Sequence, residues 1–106
     1  MKKTQLLKGV LAGCVLKIIS EKEIYGYELV QILQRKGFTS IVGGTIYPLL
    51  QKLEKQELIV ATFKSSPEGP DRKYFKITTS GENALKEFEL EWQELVTNVA
   101  NLWEDN

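Results

Sequence analysis

A mainly α fold with a small β-hairpin is what this 106-residue chain predicts, and three observations carry the prediction. Apolar residues recur at helical spacing over 6–19, 26–33 and 46–53. Two runs rich in β-branched and aromatic residues, 58–64 and 72–78, flank a stretch with two prolines and a glycine. From Leu85 the apolar positions then step by three and four residues to Leu102. Apolar residues at 42% and charged residues at 26% are the mixture of a globular protein, and the length suits one modest core that a partner subunit can extend.

In the first segment Leu6, Leu7, Val10, Leu11, Cys14, Val15, Ile18 and Ile19 form adjacent pairs every four residues, which predicts one helix with a broad core stripe and Cys14 buried in it. Leu11-Ala12-Gly13-Cys14 also matches the lipid-attachment site of a bacterial lipoprotein signal. Lys8 breaks the apolar run before the cysteine, however, and Val15 to Ile19 stay apolar after it, so the core helix is preferred.

Ser20 to Tyr25 forms a polar break. Gly26 opens a second helix through Leu29, Ile32 and Leu33, stopped by the basic turn and glycine of Lys36-Gly37. After a short connection, the third helix turns Ile46, Leu49, Leu50 and Leu53 to the core. Gly44, Pro48, Gln51, Lys52 and Lys55 fall on its opposite side, flanked by Thr45 and Tyr47. With Thr45 near the cap, Pro48 is expected in the first turn, where a missing N–H has no intrahelical acceptor to lose.

Leu58 to Lys64 and Arg72 to Thr78 pair as a hairpin whose tip, Ser65 to Asp71, is closed to strand by its prolines. Lys64, Arg72, Lys73 and Lys76 lie on the two strands. Three helices followed by a basic hairpin is the order of a winged helix-turn-helix. From Thr79, with Thr79 or Ser80 as cap, a last helix carries the seam Leu85, Phe88, Trp92, Leu95, Val99 and Leu102. A helix of about 25 residues spans about 38 Å, more than this domain needs, so the seam, with Leu7 and Leu11 of the first helix, is assigned to a dimer interface. The organisation expected is a winged helix-turn-helix over 1–78 and a dimerisation helix over 79–106.

The net charge of zero divides sharply: residues 1–78 hold thirteen Lys and Arg against seven Asp and Glu, and residues 79–106 one against seven. The basic part is the one suited to an anion such as DNA. With no histidine and a single cysteine, His-based triads, Cys/His zinc sites and intramolecular disulfides are excluded, and neither an enzyme nor a cofactor nor a metal site is expected. Glu87, Glu91 and Glu94 stand at helical spacing as a solvated face. The lack of disulfides fits the cytoplasm.

The third helix is the candidate reading head. Gly44 allows close backbone approach, Thr45 and Tyr47 bring hydroxyls to phosphates or base edges, and Pro48 offers a rigid apolar contact for a thymine methyl. Gln51 is best suited to a base edge, while Lys52 and Lys55 suit phosphates, as do Lys64, Arg72 and Lys73 of the hairpin. The alternative is a helical dimerisation or scaffold protein whose glycines, threonine and lysines form an ordinary turn, cap and solvated face.

The motifs YGYEL (Tyr25 to Leu29), GTIYPLLQKLEKQELI (Gly44 to Ile59) and DRKYFKITTSG (Asp71 to Gly81) occur in order, and through them nearly the whole chain resembles the PadR-like transcriptional regulators. The resemblance implies a homodimeric repressor with the third helix in the major groove and the wing on the backbone or minor groove of a pseudo-palindromic operator. Tyr25, in YGYEL, is implied as a phosphate contact or a packing residue. The single last helix is similar to the compact subgroup, which includes multidrug-responsive regulators; by that analogy Trp92, with Val15 and Phe88 as walls, would stack a small planar aromatic effector. The chain departs from the family at Gly69-Pro70-Asp71-Arg72, where a glycine-arginine step is common.

Overall fold

The computed structural model describes residues 2–104, so Asp105 and Asn106 of the expected C-terminal unit lie outside the described residues. The elements run α1 (Lys3–Leu7), α2 (Leu11–Glu21), β1 (Ile24–Tyr25), α3 (Gly26–Arg35), α4 (Gly43–Lys55), β2 (Ile59–Ser66), β3 (Gly69–Ile77) and α5 (Thr79–Asn101). The three strands form one antiparallel sheet in the order β1-β3-β2. Leu16 and Ile19 of α2, Leu29 and Leu33 of α3, Ile46, Leu50 and Leu53 of α4, and Ile24, Ile59 and Phe75 of the sheet meet in one core.

Several expectations give way to this geometry. The single first helix is two: α1 ends at Leu7, and α2 begins at Leu11 after a turn through Lys8 and Gly9. The paired apolar pattern could not register the break, because a turn of this length preserves which face the side chains reach. Cys14 is only half-buried, since the core side of α2 is carried by Leu11, Val15, Leu16 and Ile19. The polar break holds a third strand: Ile24 pairs with Phe75 and Tyr25 with Tyr74. Two residues are too few to show a period of two.

The hairpin also reaches further than its prolines imply. The ladder runs from Ile59↔Ile77 to Ser66↔Gly69, with an irregularity between Lys64 and Ser66, and only Pro67 and Glu68 form the turn. Pro70 is admitted because it sits at that irregularity, where the ladder no longer calls for its missing N–H.

Helix ends explain the connections. Gly37 (φ 107°) adopts the left-handed conformation that closes α3, with the Phe38 N–H bonded to the Leu33 carbonyl. The end of α4 repeats this closure without a glycine: Glu57 stands at φ 63° and the Leu58 N–H reaches the Leu53 carbonyl. The cap of α5 is Thr78 rather than Thr79 or Ser80. Its hydroxyl accepts from the Gly81 N–H and donates to the Glu57 carbonyl, tying the last helix to the end of α4.

Candidate nucleic-acid interface

The turn between α3 and α4 is held from both sides. Ile41 is buried beneath it, and the Gln34 amide donates to the Ile41 carbonyl at 2.8 Å. From this turn α4 starts at Gly43, earlier than the sequence indicates. Pro48 therefore sits at the sixth helical position, beyond the first turn, and the helix gives up the bond a residue there would make to the Gly44 carbonyl. Gly44 is exposed, so water can satisfy that carbonyl and the loss is tolerable. Val42, the N-cap, makes no side-chain cap bond, which leaves the start of α4 open to an anion.

Gly44, Thr45, Tyr47, Pro48, Gln51, Lys52 and Lys55 are all exposed on α4, and Ile46, Leu50 and Leu53 are buried beneath them. The two glycines at the head of this helix have different surroundings. A Cβ on Gly44 would meet open space. One on Gly43 would come 2.7 Å from the Tyr47 ring, and one on Gly26 would come 2.5 Å from its other edge. Tyr47 thus lies between the starts of α3 and α4, half-exposed, packing the reading head as well as facing outward.

The basic residues of the wing separate by the alternation of the strands. Lys64 and Arg72 lie cross-strand on the outer face with Tyr25 and Tyr74. The Arg72 guanidinium stands 4.7 Å over the Tyr25 ring, Lys64 stands 5.0 Å over Tyr74, and the two tyrosine rings lie tilted at 42° with centroids 5.4 Å apart. Tyr25 is therefore a platform for Arg72, which sequence reasoning did not anticipate. Lys73 belongs to the inner face, where it bonds Glu54 of α4 at 2.9 Å. The sequence groups Lys73 with Lys64 and Arg72; the sheet puts it on the opposite side and pairs it.

Glu23, just before β1, carries no signal in the sequence that would single it out. Its carboxylate accepts from Lys64 at 2.9 Å and from the Thr62 hydroxyl at 2.9 Å. The Lys64 hydrogen bond, then that of Thr62, hold this exposed carboxyl below its usual range. Among the described residues, Lys52, Lys55 and Arg72 form no ion pair with a carboxylate, whereas Lys64 and Lys73 do.

At the other end, the last helix departs from the body. Phe88 covers Gly13 of α2 so closely that a Cβ there would overlap its ring. Leu11 and Leu85, expected at a dimer interface, are already buried within the protomer, and Leu7 is half-buried. Val15 is 0% exposed; it belongs to the core and cannot serve as an effector wall in this protomer. Past Phe88 the seam opens: Trp92 is 44% exposed, and Leu95, Val99 and Leu102 are exposed too.

Residues 15–87 match the profile of the transcriptional regulator PadR-like family. The chain belongs to the PadR-like family. It is 49% identical to a PadR-like transcriptional regulator from Bacillus cereus whose crystal structure superposes with a TM-score of 0.87, covering 96% of this chain and 99% of that one. A Streptococcus transcriptional regulator of known structure is 54% identical, with a TM-score of 0.86 over 96% of this chain and 100% of its own. A transcriptional regulator of Mycobacterium tuberculosis is 32% identical over 85 residues, 80% of this chain and 78% of that protein. The mainly helical fold with its small three-stranded antiparallel sheet superposes closely on these two solved structures, in keeping with a winged helix. Membership in a family of transcriptional regulators also agrees with the non-enzymatic reading of the composition. Among the described residues no helix is long and apolar enough to cross a membrane.

Proposed function

We propose that this PadR-like regulator is a cytoplasmic homodimeric repressor of a pseudo-palindromic operator, with its two α4 helices roughly one DNA turn, about 34 Å, apart. The observation that carries the reading is the exposed polar face of α4 beside a basic wing. Thr45, Tyr47, Pro48 and Gln51 are exposed on a helix whose start is open, with Lys52 and Lys55 one turn further on. Phosphate contacts fall to Lys52, Lys55, Arg72 and Lys64, with Tyr25 supporting Arg72, and base contacts to Gln51 and its neighbours near the N-terminus. Lys64 and Lys73 contribute less than Lys52, Lys55 and Arg72, because Glu23 and Glu54 already pair with them.

The dimer is supported by the unpartnered apolar side chains of α5. At 23 residues the helix is about 34 Å long. The protomer's radius of gyration is 15.7 Å, against about 13 Å for a compact chain of this length. A second copy covering Trp92, Leu95, Val99 and Leu102 resolves that exposure. On this reading residues up to Thr78 form the DNA-binding unit and α5 the dimerisation element. An aromatic effector would stack on Trp92 beside Phe88, releasing the operator.

Fluorescence anisotropy with a labelled duplex, repeated at two salt concentrations, tests the proposal. Binding should weaken steeply as salt rises, and Lys52→Ala should flatten the log–log slope by about 0.9 for each phosphate left without its lysine. Absence of salt-dependent binding at low ionic strength would leave the scaffold reading in its place.

A further inference from the structure

Phe63 is the large aromatic of the wing that the core does not use. It stands 69% exposed, although the residues two and four positions before it on the same face of β2, Ala61 and Ile59, turn toward the core and are half-buried and buried. Among the described residues none covers the ring, so the hairpin carries it out into solvent.

Its position is well defined. Directly across the ladder from Phe63 is Lys73, whose ammonium bonds Glu54 of α4 at 2.9 Å and lies 5.4 Å from the centroid of Phe75. The face that carries Phe63 is therefore turned toward the reading helix, opposite the face of Tyr25, Lys64 and Arg72. An isolated apolar ring beside paired charges adds nothing to phosphate attraction, and the ion pair at Lys73 makes this side of the wing the less charged one.

We infer that Phe63 is a DNA-contacting residue of the wing, packing its ring against the sugar wall of the minor groove that adjoins the stretch of major groove occupied by α4. The inference rests on the DNA-binding reading above and adds to it an apolar, salt-independent contact. Minor-groove-binding proteins use apolar side chains for contact with the DNA, and an apolar contact does not depend on phosphate charge. Continuity with the α4 face through Lys73 and Glu54 selects DNA as the occupant over a second copy, for which the longest run of exposed apolar side chains, Trp92, Leu95, Val96 and Val99, lies on α5.

The test is anisotropy of a fluorescein-labelled A·T-rich duplex titrated across a salt series with wild type, Phe63→Ala, Phe63→Leu and Arg72→Ala. Phe63→Ala should weaken binding about tenfold, the loss expected when one partly buried apolar ring is removed, while leaving the salt slope at the wild-type value. Phe63→Leu should recover most of the affinity, and Arg72→Ala should instead flatten the slope by about 0.9. An exposed ring can be removed with little effect on folding, so a wild-type melting temperature for Phe63→Ala is the accompanying control. Wild-type affinity in Phe63→Ala overturns the inference, as does a change in its oligomeric state, which would assign the ring to contact between copies. Failure of the wild type itself to bind in a salt-dependent way overturns the underlying DNA-binding reading instead.

Discussion

Gly81→Ala should be among the most damaging single-methyl additions to this protein. Gly81 is the third residue of α5, and a Cβ built there overlaps the Leu58 carbonyl oxygen, while Ile77 Cγ1 lies 2.7 Å away. Ordinary carbon–oxygen approach stops at about 3.3 Å, so helix or strand must move by about 1 Å. Neither is at liberty to do so, because the same Leu58 oxygen accepts from the Thr78 N–H at 3.1 Å and the Gly81 N–H donates to the Thr78 hydroxyl at 3.0 Å. Overpacking costs about 1–3 kcal/mol, loss of the cap about 1, and the strained backbone bond about 1; better helix propensity returns up to about 1. The net is about 3 kcal/mol, a large share of the roughly 5–15 kcal/mol that holds a domain together, and a fall in melting temperature of roughly 12–24 °C. Urea titration followed by far-UV circular dichroism, at equal protomer concentration, measures it. Gly44→Ala, whose Cβ meets open space, is the control and should stay within about 1 kcal/mol of wild type. If Gly81→Ala does the same, the account of how α5 is seated is wrong.

Gly26→Ala should displace the Tyr47 ring, destabilising the protein by about 1 kcal/mol, because the obstructing atom is the far end of a half-exposed side chain; in a Tyr47→Ala background the same change should be neutral or stabilising, and additive effects in this double-mutant cycle would refute the contact. Glu57→Gly should raise the melting temperature by a few degrees, since the left-handed conformation at φ 63° costs a non-glycine residue about 1 kcal/mol; an unchanged or lower melting temperature would show that the Glu57 side chain offsets that strain. The depressed Glu23 carboxyl contributes to stability above its ordinary value of 4.5, and the contribution is lost as pH falls through its lower folded value. The difference in melting temperature between wild type and Glu23→Gln should therefore be present at pH 7 and close on acidification below that value. Because the same substitution releases Lys64, it should also steepen the salt dependence of DNA binding. Leu95→Glu together with Val99→Glu should shift the protein toward monomer in sedimentation, with the protomer's own core unaffected.

The order of helices, hairpin and long last helix was legible from the sequence because burial imposes a period. Ile46, Leu50 and Leu53 are buried and Gly44, Pro48, Gln51, Lys52 and Lys55 exposed, as the wheel requires, and Lys36-Gly37 ends α3 with a left-handed glycine. These are short-range properties, set within a few residues by propensity, capping and the alternation of apolar and polar side chains.

Long-range contact decided the rest. Strand β1 exists only because β3 offers it an edge. Pro48 lies deeper in α4 than Thr45 implies, because the helix begins where Ile41 anchors the turn. Lys73 and Lys64 look alike in the sequence, yet one salt-bridges the reading helix and the other is held by Glu23, a residue 41 positions away. The family resemblance places Val15 and Trp92 together beside an effector, and packing sends Val15 wholly into the core while leaving Trp92 exposed on a projecting helix. Periodicity tells which side of an element is apolar; which neighbour meets that side, and whether any does, follows from tertiary packing alone.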